Sequence, residues 1–427
     1  MNTKTKYQKV ASYEGKIGEV KKVLLLYSGG LDTSVMLKWI QDTYKAEVVT
    51  LTLDIGQQHD DLPKVAKKAL KFGASDAIIL DVKEEFASEY IVKGIKANAS
   101  YQGDYHLSTP IGRAITGKKA VEVAEKVGAD CIAHGCTGKG NDQVRLEGYI
   151  LTHNPKMKII APVREWDMDR NEEIKYAKKY GIPVPATYDF PYSVDDNMWG
   201  MTWEGGEIEE PHLIAPVEKF LTTYTLAKNA PDKEEFVKLT FDKGLPIGLN
   251  GEKLSLAKLI MKLNKISGKH GVGVVHMFED RLVGVKNGGI YELPAGHVII
   301  KAHKRLEQYV SPRTLNELKE QMDVKWAYLC YGALWYDKAI MAINVFNDFV
   351  NQNVVGEVTV KLYKGKATVV AMKSPYGLDH TSFTSHGGMP FNVNASAGFT
   401  EIYSLQMRLA YQMGKKGNKY GKKNYRL

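Results

Sequence analysis

The sequence predicts an α/β protein: a doubly wound parallel sheet followed by an α+β domain and a C-terminal helical arm. Three observations support this. Strand-like and helix-like segments alternate over residues 23–180. Val23–Tyr27 is an unbroken apolar run, as in strands buried on both faces. Two prolines within Gly181–Pro185 then interrupt the alternation. A chain of 427 residues is long enough for two or three domains.

The elements of the first domain follow from apolar runs and helical periodicity. In chain order they are the strand Val23–Tyr27, a helix from Thr33 to Lys45, the strand Val48–Leu53, a helix from Leu62 to Phe72, the strand Ala77–Leu80, a helix over Lys119–Val127, and the strands Cys131–Ala133 and Ile159–Ala161. Gly73 and Gly128 each stand where a left-handed glycine commonly ends a helix. The strand–helix alternation predicts a parallel, doubly wound sheet.

The order of elements is mixed beyond Pro185. The expected segments are a strand over Phe236–Phe241, a helix over Leu254–Ile266, a strand-like stretch Gly273–Val285, helices between Ser311 and Asn351, the strands Glu357–Tyr363 and Ala367–Met372, and an amphipathic helix Phe399–Met413. The last helix either packs on its own subunit or docks on a neighbour as an arm. We therefore expect an N-terminal extension 1–22, a nucleotide-binding domain 23–185, a synthetase domain 186–390 and a C-terminal helix with a basic tail 391–427.

The net charge of +9 is concentrated at the two ends of the chain. Residues 1–22 carry +4 and residues 414–427 carry +6, which leaves residues 23–413 at −1. Both ends look poorly ordered, and a nearly neutral body argues against nucleic acid as the partner. No apolar run reaches the ~18 residues that span a bilayer. Three cysteines and no signal-like start favour a cytoplasmic protein.

The strongest motif is Ser28-Gly29-Gly30-Leu31-Asp32-Thr33-Ser34, which links the first strand to the first helix. Ligands of open α/β sheets bind at this edge. The glycines allow a close backbone approach to an anion, and the hydroxyl groups lie at the positive end of a helix. The pattern is neither GxxxxGK[ST] nor GxGxxG. It resembles the pyrophosphate loop of the N-type ATP pyrophosphatases, which implies ATP as a substrate.

A second glycine-rich loop, His134 to Arg145, follows the fourth strand and reads HGCTGKGNDQVR. Asn141 and Asp142 are expected to begin a helix with Arg145 on its first turn. An acid and amide pair beside an arginine suits recognition of an amino acid. The alternative is a simple helix cap with a solvated arginine.

With this segment the chain resembles the argininosuccinate synthase family over about residues 20–410. Four other segments match that family's markers: Tyr105–Ala114, Tyr192–Gly200, Gly268–Gly273 and Gly289–Gly296. The chain departs from the family where ENR is replaced by Glu279-Asp280-Arg281 and KSRG by Lys286-Asn287-Gly288-Gly289. If these departures have no functional role, they are exchanges of one polar residue for another in a solvated loop.

The resemblance implies a site for each of three substrates. ATP would be surrounded by Leu26, Tyr27, Ser28, Gly29, Gly30, Leu31, Asp32, Thr33, Ser34, Leu53 and Gly135, with Asp195 on the nucleotide side. Aspartate would be held by Thr137, Asn141 and Asp142. Citrulline would be surrounded by Tyr105, Thr109, Asn141, Arg145, Ser193, Thr202, Glu204, Glu279 and Tyr291.

The family reaction adenylates the ureido oxygen of citrulline and then joins the carbon to the aspartate amine, as in arginine biosynthesis. The candidate catalytic residues are Asp32 in the first loop, Lys139 as a phosphate contact or a solvated lysine, and Asp142 as an anchor or a base. Mg²⁺ is expected with ATP, and no protein ligand is assigned to it. Cys136 is expected to be a packed or half-exposed thiol.

The resemblance also implies a homotetramer that uses small molecules and contacts neither nucleic acid nor membrane. The alternative is a tRNA-modifying enzyme of the thiolation type that uses the same ATP chemistry. The basic ends favour it, but no paired cysteines or RNA-binding module accompany the loop.

Overall fold

The computed structural model describes residues 7–58, 61–166, 168, 170–184, 192–379 and 392–417. The described residues up to 377 form one compact unit, and the described residues from 378 onward form another. The first unit begins with a parallel five-stranded sheet, as predicted. Its strands are β1 (Lys22–Leu26), β2 (Glu47–Asp54), β3 (Asp76–Asp81), β4 (Cys131–Ala133) and β5 (Lys158–Ile160).

The order of the parallel sheet is β3-β2-β1-β4-β5, so the order reverses between β1 and β4. Its connections are helical. They comprise α1 (Leu31–Tyr44), α2 (Leu62–Lys71), α3 (Lys83–Glu85), a π-helix (Phe86–Ile91), α4 (Val92–Lys96), α5 (Ser108–Val127) and α6 (Asp142–His153). Two further helices, α7 (Pro162–Glu165) and α8 (Arg170–Lys179), follow β5. Val23, Leu24 and Leu25 of β1 are fully buried because helices cover both faces of the sheet.

Two antiparallel sheets follow. One has the order β11-β12-β7-β6 and the other β10-β9-β8-β13-β14. The strands are β6 (Ser193–Asn197), β7 (Gly200–Glu204), β8 (Glu235–Asp242), β9 (Leu245–Leu249), β10 (Glu252–Lys253), β11 (Val274–Asp280), β12 (Lys286–Glu292), β13 (Gly356–Tyr363) and β14 (Lys366–Lys373). Their helices are α9 (Leu256–Lys269), α10 (Pro294–Val310), α11 (Arg313–Tyr331) and α12 (Lys338–Val350), with short 3₁₀ turns at 206–209, 217–219, 227–229 and 351–353.

The second unit contains two helices among its described residues, α13 (Ala395–Tyr403) and α14 (Leu405–Gly417). One helix over Phe399–Met413 was expected, and the pair is separated at Ser404. Apolar side chains including Ile402, Leu409 and Met413 are exposed in the single chain. Within the described ranges, the protein forms no helix that is both long and apolar enough to cross a membrane.

Several sequence predictions need correction. Helix α5 begins at Ser108 rather than at Lys119, so most of the segment Tyr105–Ala114 belongs to this helix. The strand-like stretch Gly273–Val285 ends at Asp280 and turns into β12. The strands β6 and β7 and the helix α10 were not predicted. The domain limits at residues 22, 185 and 390 stay predictions.

The described part of the N-terminal extension is not poorly ordered, contrary to expectation. Gly15 N–H donates to the Ile159 carbonyl of β5 over 2.9 Å. Val20 is buried in the core beneath the sheet, and the Glu14 side chain is buried as well. The basic charge of residues 1–22 was therefore a poor predictor of disorder, because the adjacent edge strand supplies hydrogen-bond partners for this backbone.

Candidate active site

The loop after β1 exposes backbone donors at the edge where the strand order reverses. Gly29 has a φ of +78°, and a Cβ there would lie 2.9 Å from Val65, so glycine is required on both counts. Helix α1 begins after Gly30 and has no side-chain cap. Its first-turn N–H groups have no acceptor within the helix, which suits an anion. The side chains of Ser28 and Asp32 are exposed here.

Two of the predicted nucleotide residues brace this loop from inside. The Ser34 hydroxyl donates to the Gly30 carbonyl over 2.7 Å and lies 2.9 Å from the Tyr27 hydroxyl. Ser34 is completely buried, so its hydroxyl holds the loop rather than facing the crevice. Leu26 and Leu53 lie at the carboxyl ends of β1 and β2.

A residue that the sequence did not reveal also supports the first loop. The Lys68 ammonium group, on α2, donates to the Gly29 carbonyl over 2.6 Å. Burial lowers the pKa of Lys68. A lysine on an ordinary amphipathic helix carries no motif, so only the fold brings it to the loop.

The loop after β4 packs against the helix that follows the first loop. A Cβ on Gly135 would lie 2.6 Å from Met36 Cε of α1, so glycine permits this contact. Thr137 and Lys139 are exposed further along. The Asn141 amide donates to the Tyr331 hydroxyl over 2.9 Å, while its oxygen accepts from Leu282 N–H over 2.7 Å. Asn141 therefore ties this loop to the second half of the chain and does not cap α6 with its side chain.

Asp142 is the centre of an ionic cluster that we call the crevice cluster, formed by Arg113, Asp142, Arg145 and Asp195. Arg113 Nε donates to Asp142 over 2.8 Å, and Arg145 Nη1 donates to the other carboxylate oxygen over 3.0 Å. Arg113 also pairs with Asp195. The cluster joins α5, α6 and β6, so it links the parallel sheet to the antiparallel one.

The electrostatics of Asp142 favour an anchor over a base. Burial by itself would raise the pKa of this carboxyl group, but Arg113 and Arg145 outweigh burial and hold its pKa below the usual range. A carboxylate with a lowered pKa is a weak proton acceptor. Of the two roles left open by the sequence, the charged anchor fits this geometry.

The strand register of the four-stranded sheet places six predicted residues on one face. Thr202 lies opposite both Asp195 and Tyr291, and Ser193 lies opposite Glu204. Because side chains alternate along a strand, the opposite face holds Met201, Trp203 and Ile290, which form an apolar core. The polar face carries Ser193, Asp195, Thr202, Glu204, Glu279 and Tyr291.

The start of α5 packs on this polar face. The Tyr105 ring stacks on Tyr291 with centroids 4.0 Å apart. The Thr109 and Thr202 hydroxyls lie 3.2 Å apart, and Tyr105 Oη accepts from Thr109 N–H over 3.1 Å. The four residues thus form one wall, with hydroxyl groups held in fixed positions.

Two carboxyl groups on the same face have raised pKa values. Burial, with Glu279 and Asp142 nearby, raises the pKa of Glu204 to about 7. Burial also raises the pKa of Glu279, which accepts from the Tyr291 hydroxyl over 2.9 Å. Arg281 approaches Glu204 at 3.7 Å. Shifted carboxyl groups that share a crevice are candidates for a functional site.

Tyr331 is a second residue that sequence reasoning missed. Its ring stacks on Tyr101 at 3.8 Å, and its carbonyl accepts from Arg145 Nη2 over 2.9 Å. Arg113 was within a quoted motif without being assigned a role. Tyr331 lies near the end of α11 without any surrounding pattern, so only the tertiary fold identifies it.

The two departures from the family pattern have local structural partners. Asp280 accepts from the Tyr101 hydroxyl over 3.0 Å and pairs with Lys286 across the hairpin. At Gly288, a Cβ would lie 2.0 Å from the Ile208 carbonyl oxygen. A glycine at this position allows the 206–209 turn to approach β12.

The second glycine-rich loop contains one cysteine, Cys136. Cys136 is half-buried as expected, and burial raises the pKa of its thiol. No group of three or more His, Cys, Asp or Glu side chains among the described residues could hold a metal ion.

A parallel sheet with an exposed glycine-rich loop at its reversal point, facing a polar sheet rich in charged groups, defines a nucleotide-dependent enzyme for small polar substrates. The family model described as arginosuccinate synthase N-terminal HUP domain matches residues 22–183, and the model for the C-terminal domain of the same family matches residues 192–410. The chain belongs to the argininosuccinate synthase family, whose members are ligases that form a carbon–nitrogen bond.

Argininosuccinate synthases from three different organisms are similar to this chain over most of its length. The argininosuccinate synthase of Pyrococcus furiosus is 48% identical over 92% of this chain and 95% of its own length. Those of Streptococcus mutans and Brevibacillus brevis are 45% and 44% identical over 93% and 92% of this chain, and 99% and 93% of their own lengths. A solved structure of a U34-tRNA thiolase from Methanococcus maripaludis is 18% identical, with a TM-score of 0.25, over 41% of this chain and 63% of that chain.

Proposed function

We propose that the protein joins L-citrulline to L-aspartate at the expense of ATP, releasing AMP and pyrophosphate and forming argininosuccinate. The observation that carries the proposal is the crevice cluster. Through Arg113, Asp142 and Asp195 it connects the glycine-rich loops to the polar face of the antiparallel sheet. The three substrates must come together in one crevice, and each needs its own set of binding groups there.

ATP would bind at the reversal point of the parallel sheet. Gly29, Gly30 and the first-turn N–H groups of α1 would receive its phosphates, with Ser28 and Thr33 adding hydroxyl groups. Lys139 is exposed on the second loop and would contact phosphate charge. Mg²⁺ is usually bound by the nucleotide phosphates together with only one or two carboxylates of the protein. Asp32, exposed in the first turn of α1, is the residue that fits this role, and the ion would neutralise charge on the leaving pyrophosphate.

Citrulline would lie on the polar sheet face. Its zwitterionic end needs both acceptors and donors, which Glu279, Glu204 and the hydroxyls of Ser193 and Thr202 can supply. Aspartate would bind along the loop after β4, where Thr137 and Asn141 offer polar groups and Asp142 offers a fixed negative charge. Arg145, held against Asp142, would contribute a positive charge between the two amino acids.

Two steps complete the reaction. The ureido carbon of citrulline is a poor electrophile because nitrogen lone pairs donate into it. Attack of the ureido oxygen on the α-phosphate of ATP forms citrullyl-AMP and releases pyrophosphate, which turns that oxygen into a leaving group. The unprotonated amine of aspartate then attacks the carbon, and AMP departs. The residues act by positioning and by charge stabilisation, without a covalent enzyme intermediate.

The protein would act in the cytoplasm in arginine biosynthesis, on small molecules rather than on nucleic acid or membranes. A homotetramer is proposed as its assembly. The exposed apolar residues of α13 and α14, such as Phe399 and Met413, support docking on other subunits. Sedimentation velocity of the full chain measures this state, and a monomer at micromolar concentration would contradict it.

The decisive experiment measures AMP and pyrophosphate released from ATP with citrulline, with and without aspartate. We expect citrulline-dependent exchange of pyrophosphate into ATP, and net AMP and argininosuccinate only when aspartate is present. No citrulline-dependent reaction would refute the proposal. Turnover that depends instead on tRNA would favour the alternative.

A further inference from the structure

An N-terminal segment, residues 7–20, lies ahead of the region matched by the family model, which begins at residue 22. It runs along the edge of the parallel sheet. Ile159 N–H donates to the Tyr13 carbonyl over 3.0 Å, and Gly15 N–H donates to the Ile159 carbonyl over 2.9 Å. The segment therefore extends the sheet beyond β5 in the manner of a short parallel strand.

Hydrogen bonds to the Glu14 side chain fix the conformation of this segment. Its buried carboxylate accepts from Val10 N–H over 2.8 Å and from Ala11 N–H over 2.9 Å, and it pairs with the Tyr7 hydroxyl. Burial and the Glu14 hydrogen bond raise the pKa of Tyr7 to about 12. These bonds bend the backbone, and Tyr13, the residue just before Glu14, points into the body of the protein.

Tyr13 meets a buried glutamate of α6. Its hydroxyl donates to Glu147 Oε2 over 2.6 Å, while Glu147 Oε1 accepts from His134 Nε2 over 3.1 Å and from Arg164 Nη1 over 2.7 Å. Although burial opposes it, His134, Tyr13 and Arg164 hold the pKa of Glu147 below its usual range. One carboxylate thus fixes three side chains from three separate elements.

Two of those side chains hold the loop after β4. The other ring nitrogen of His134, Nδ1, accepts from Cys136 N–H over 3.2 Å, which sets the tautomer that donates to Glu147. Arg164 donates to Gln143 over 3.0 Å, and the amide of Gln143 donates to the Gly138 carbonyl over 2.8 Å. The positions of Cys136 and Gly138 bracket Thr137.

We infer that Tyr13 of the N-terminal segment is a positioning residue for the loop 135–141, acting through Glu147 to set the affinity for the amino-acid substrate bound by that loop. The inference rests on the proposed function, in which Thr137, Asn141 and Asp142 receive aspartate. It gives the segment ahead of the family region a role in the reaction rather than only in covering a sheet edge.

The test compares Tyr13→Phe with Tyr7→Phe. Both substitutions remove one hydroxyl group that donates to a glutamate. Tyr7 contacts Glu14 within the segment, whereas Tyr13 contacts Glu147, which also binds His134 and Arg164. For Tyr13→Phe we expect the KM for aspartate to rise by roughly threefold to tenfold, because a hydrogen bond to a buried charge is lost. Citrulline-dependent pyrophosphate exchange should stay within about twofold, since it precedes aspartate attack.

Hydrogen exchange of residues 135–141 gives a readout that does not need the reaction. Faster exchange there in Tyr13→Phe but not in Tyr7→Phe, at equal melting temperature, supports the inference. An unchanged aspartate KM together with unchanged exchange would overturn it. If wild type makes no argininosuccinate while loop exchange responds to Tyr13→Phe, the proposed function fails and the link between segment and loop stands.

Discussion

Two ionic clusters in the first unit are built from similar groups but differ in their access to solvent. The crevice cluster, defined above, lies between the two kinds of sheet. A second cluster, the α10–α11 cluster, comprises Asn98, His303, Glu307, Lys319 and Asp323. Comparing them separates charge that serves the fold from charge that serves a ligand.

The α10–α11 cluster is closed. The Lys319 ammonium lies 3.3 Å from Glu307, pairs with Asp323 and donates to the Lys96 carbonyl over 2.9 Å. The Asn98 amide donates to both carboxylates, over 2.8 Å and 2.9 Å. The Lys319 side chain is only 2% exposed. A single ammonium group faces both carboxyl groups, and burial raises the pKa of Asp323 to about 7. The cluster is closed to solvent, so its role is to fix how the two helices meet.

The crevice cluster is open. The side chains of Asp142 and Asp195 are 26% and 32% exposed although each is bound to Arg113. Arg145 is held in turn by the Tyr331 carbonyl, which accepts from its Nη2 over 2.9 Å. Groups that are fixed by the protein yet reachable from solvent are pre-organised for a charged substrate. The two clusters should therefore respond in opposite ways to removal of one charge.

The largest effect is expected from Lys319→Met in the closed cluster. The substitution leaves Glu307 and Asp323 buried without their cation, which costs about 3–5 kcal/mol of unfolding free energy. Urea unfolding followed by circular dichroism measures the loss. Kinetic constants of the folded fraction at 15 °C should stay within about twofold of wild type, since no atom of the crevice is altered.

Lys304→Met is the matched control for that prediction. Lys304 also joins α10 to α11 through an ion pair, with Glu320 at 3.3 Å, but both partners are exposed. Its removal should cost less than about 1 kcal/mol. Equal losses in the two variants would mean that burial does not distinguish the clusters.

Asp142→Asn should produce the converse result. The amide keeps the shape of the side chain but removes the charge that Arg113 and Arg145 hold in the crevice. Argininosuccinate formation should fall about a hundredfold or more, as for other lost electrostatic groups in active sites. Part of the citrulline-dependent pyrophosphate exchange should survive, because the first step does not involve aspartate.

Unfolding of Asp142→Asn completes this comparison. We expect a change of about 1 kcal/mol or less, because Arg113 keeps Asp195 and Arg145 keeps Tyr331. Asp348→Asn, which removes an exposed carboxylate paired with Lys96, serves as a control with wild-type turnover. If pyrophosphate exchange falls as far as product formation, Asp142 supports both steps, and its assignment to the aspartate site alone is wrong.

A smaller effect follows from the pKa of Glu204. Its value of about 7 in the folded protein lies above the ordinary 4.5, so the folded state binds more protons than the unfolded state between these pH values. The unfolding free energy should therefore decrease as pH rises from about 4.5 to 7. Glu204→Gln removes this decrease, so the variant should gain stability relative to wild type as pH rises.

Melting temperatures of wild type and Glu204→Gln from pH 5 to pH 8 measure that difference. Glu209→Gln is the control, since Glu209 contacts the same Arg281 at 3.7 Å from outside the polar face. Parallel pH curves for wild type and Glu204→Gln would show that the carboxyl group is solvated, as at a surface position, rather than part of the crevice.

The sequence predicted the central strands well and the helix α5 poorly, for one physical reason. Strands β1 and β4 are buried on both faces and leave unbroken apolar runs such as Val23–Leu26. Helix α5 is buried around much of its circumference and begins with Ser-Thr-Pro-Ile-Gly, so no apolar stripe identifies its first half. The strand β6 reads SVDDN, with Ser193 and Asp195 on the polar face of its sheet, and this polarity concealed the strand in the sequence.

The candidate site divides in the same way. Asp142 and Arg145 were predictable because they lie one helical turn apart in a glycine-rich motif. Tyr331 and Lys68 were not, because their contacts with Asn141 and Gly29 arise from the tertiary fold. Arg113 lay in a recognised segment without a role, since its two partners, Asp142 and Asp195, come from other elements. Local pattern identifies loops, while the charges that hold them come from distant positions.

The smallest effect is expected from deleting residues 416–427, where most of the C-terminal basic charge lies. The crevice already holds Arg113, Arg145 and Lys68 close to the loops for anionic substrates, so these substrates do not require the charge of the tail. The KM values for ATP and aspartate should therefore stay within about twofold at 0.15 M salt. A large loss there would show that the tail belongs to the assembly or the site. Replacing only the tail lysines by glutamine then separates the two, because loss of charge alone would impair a site but spare an apolar contact between subunits.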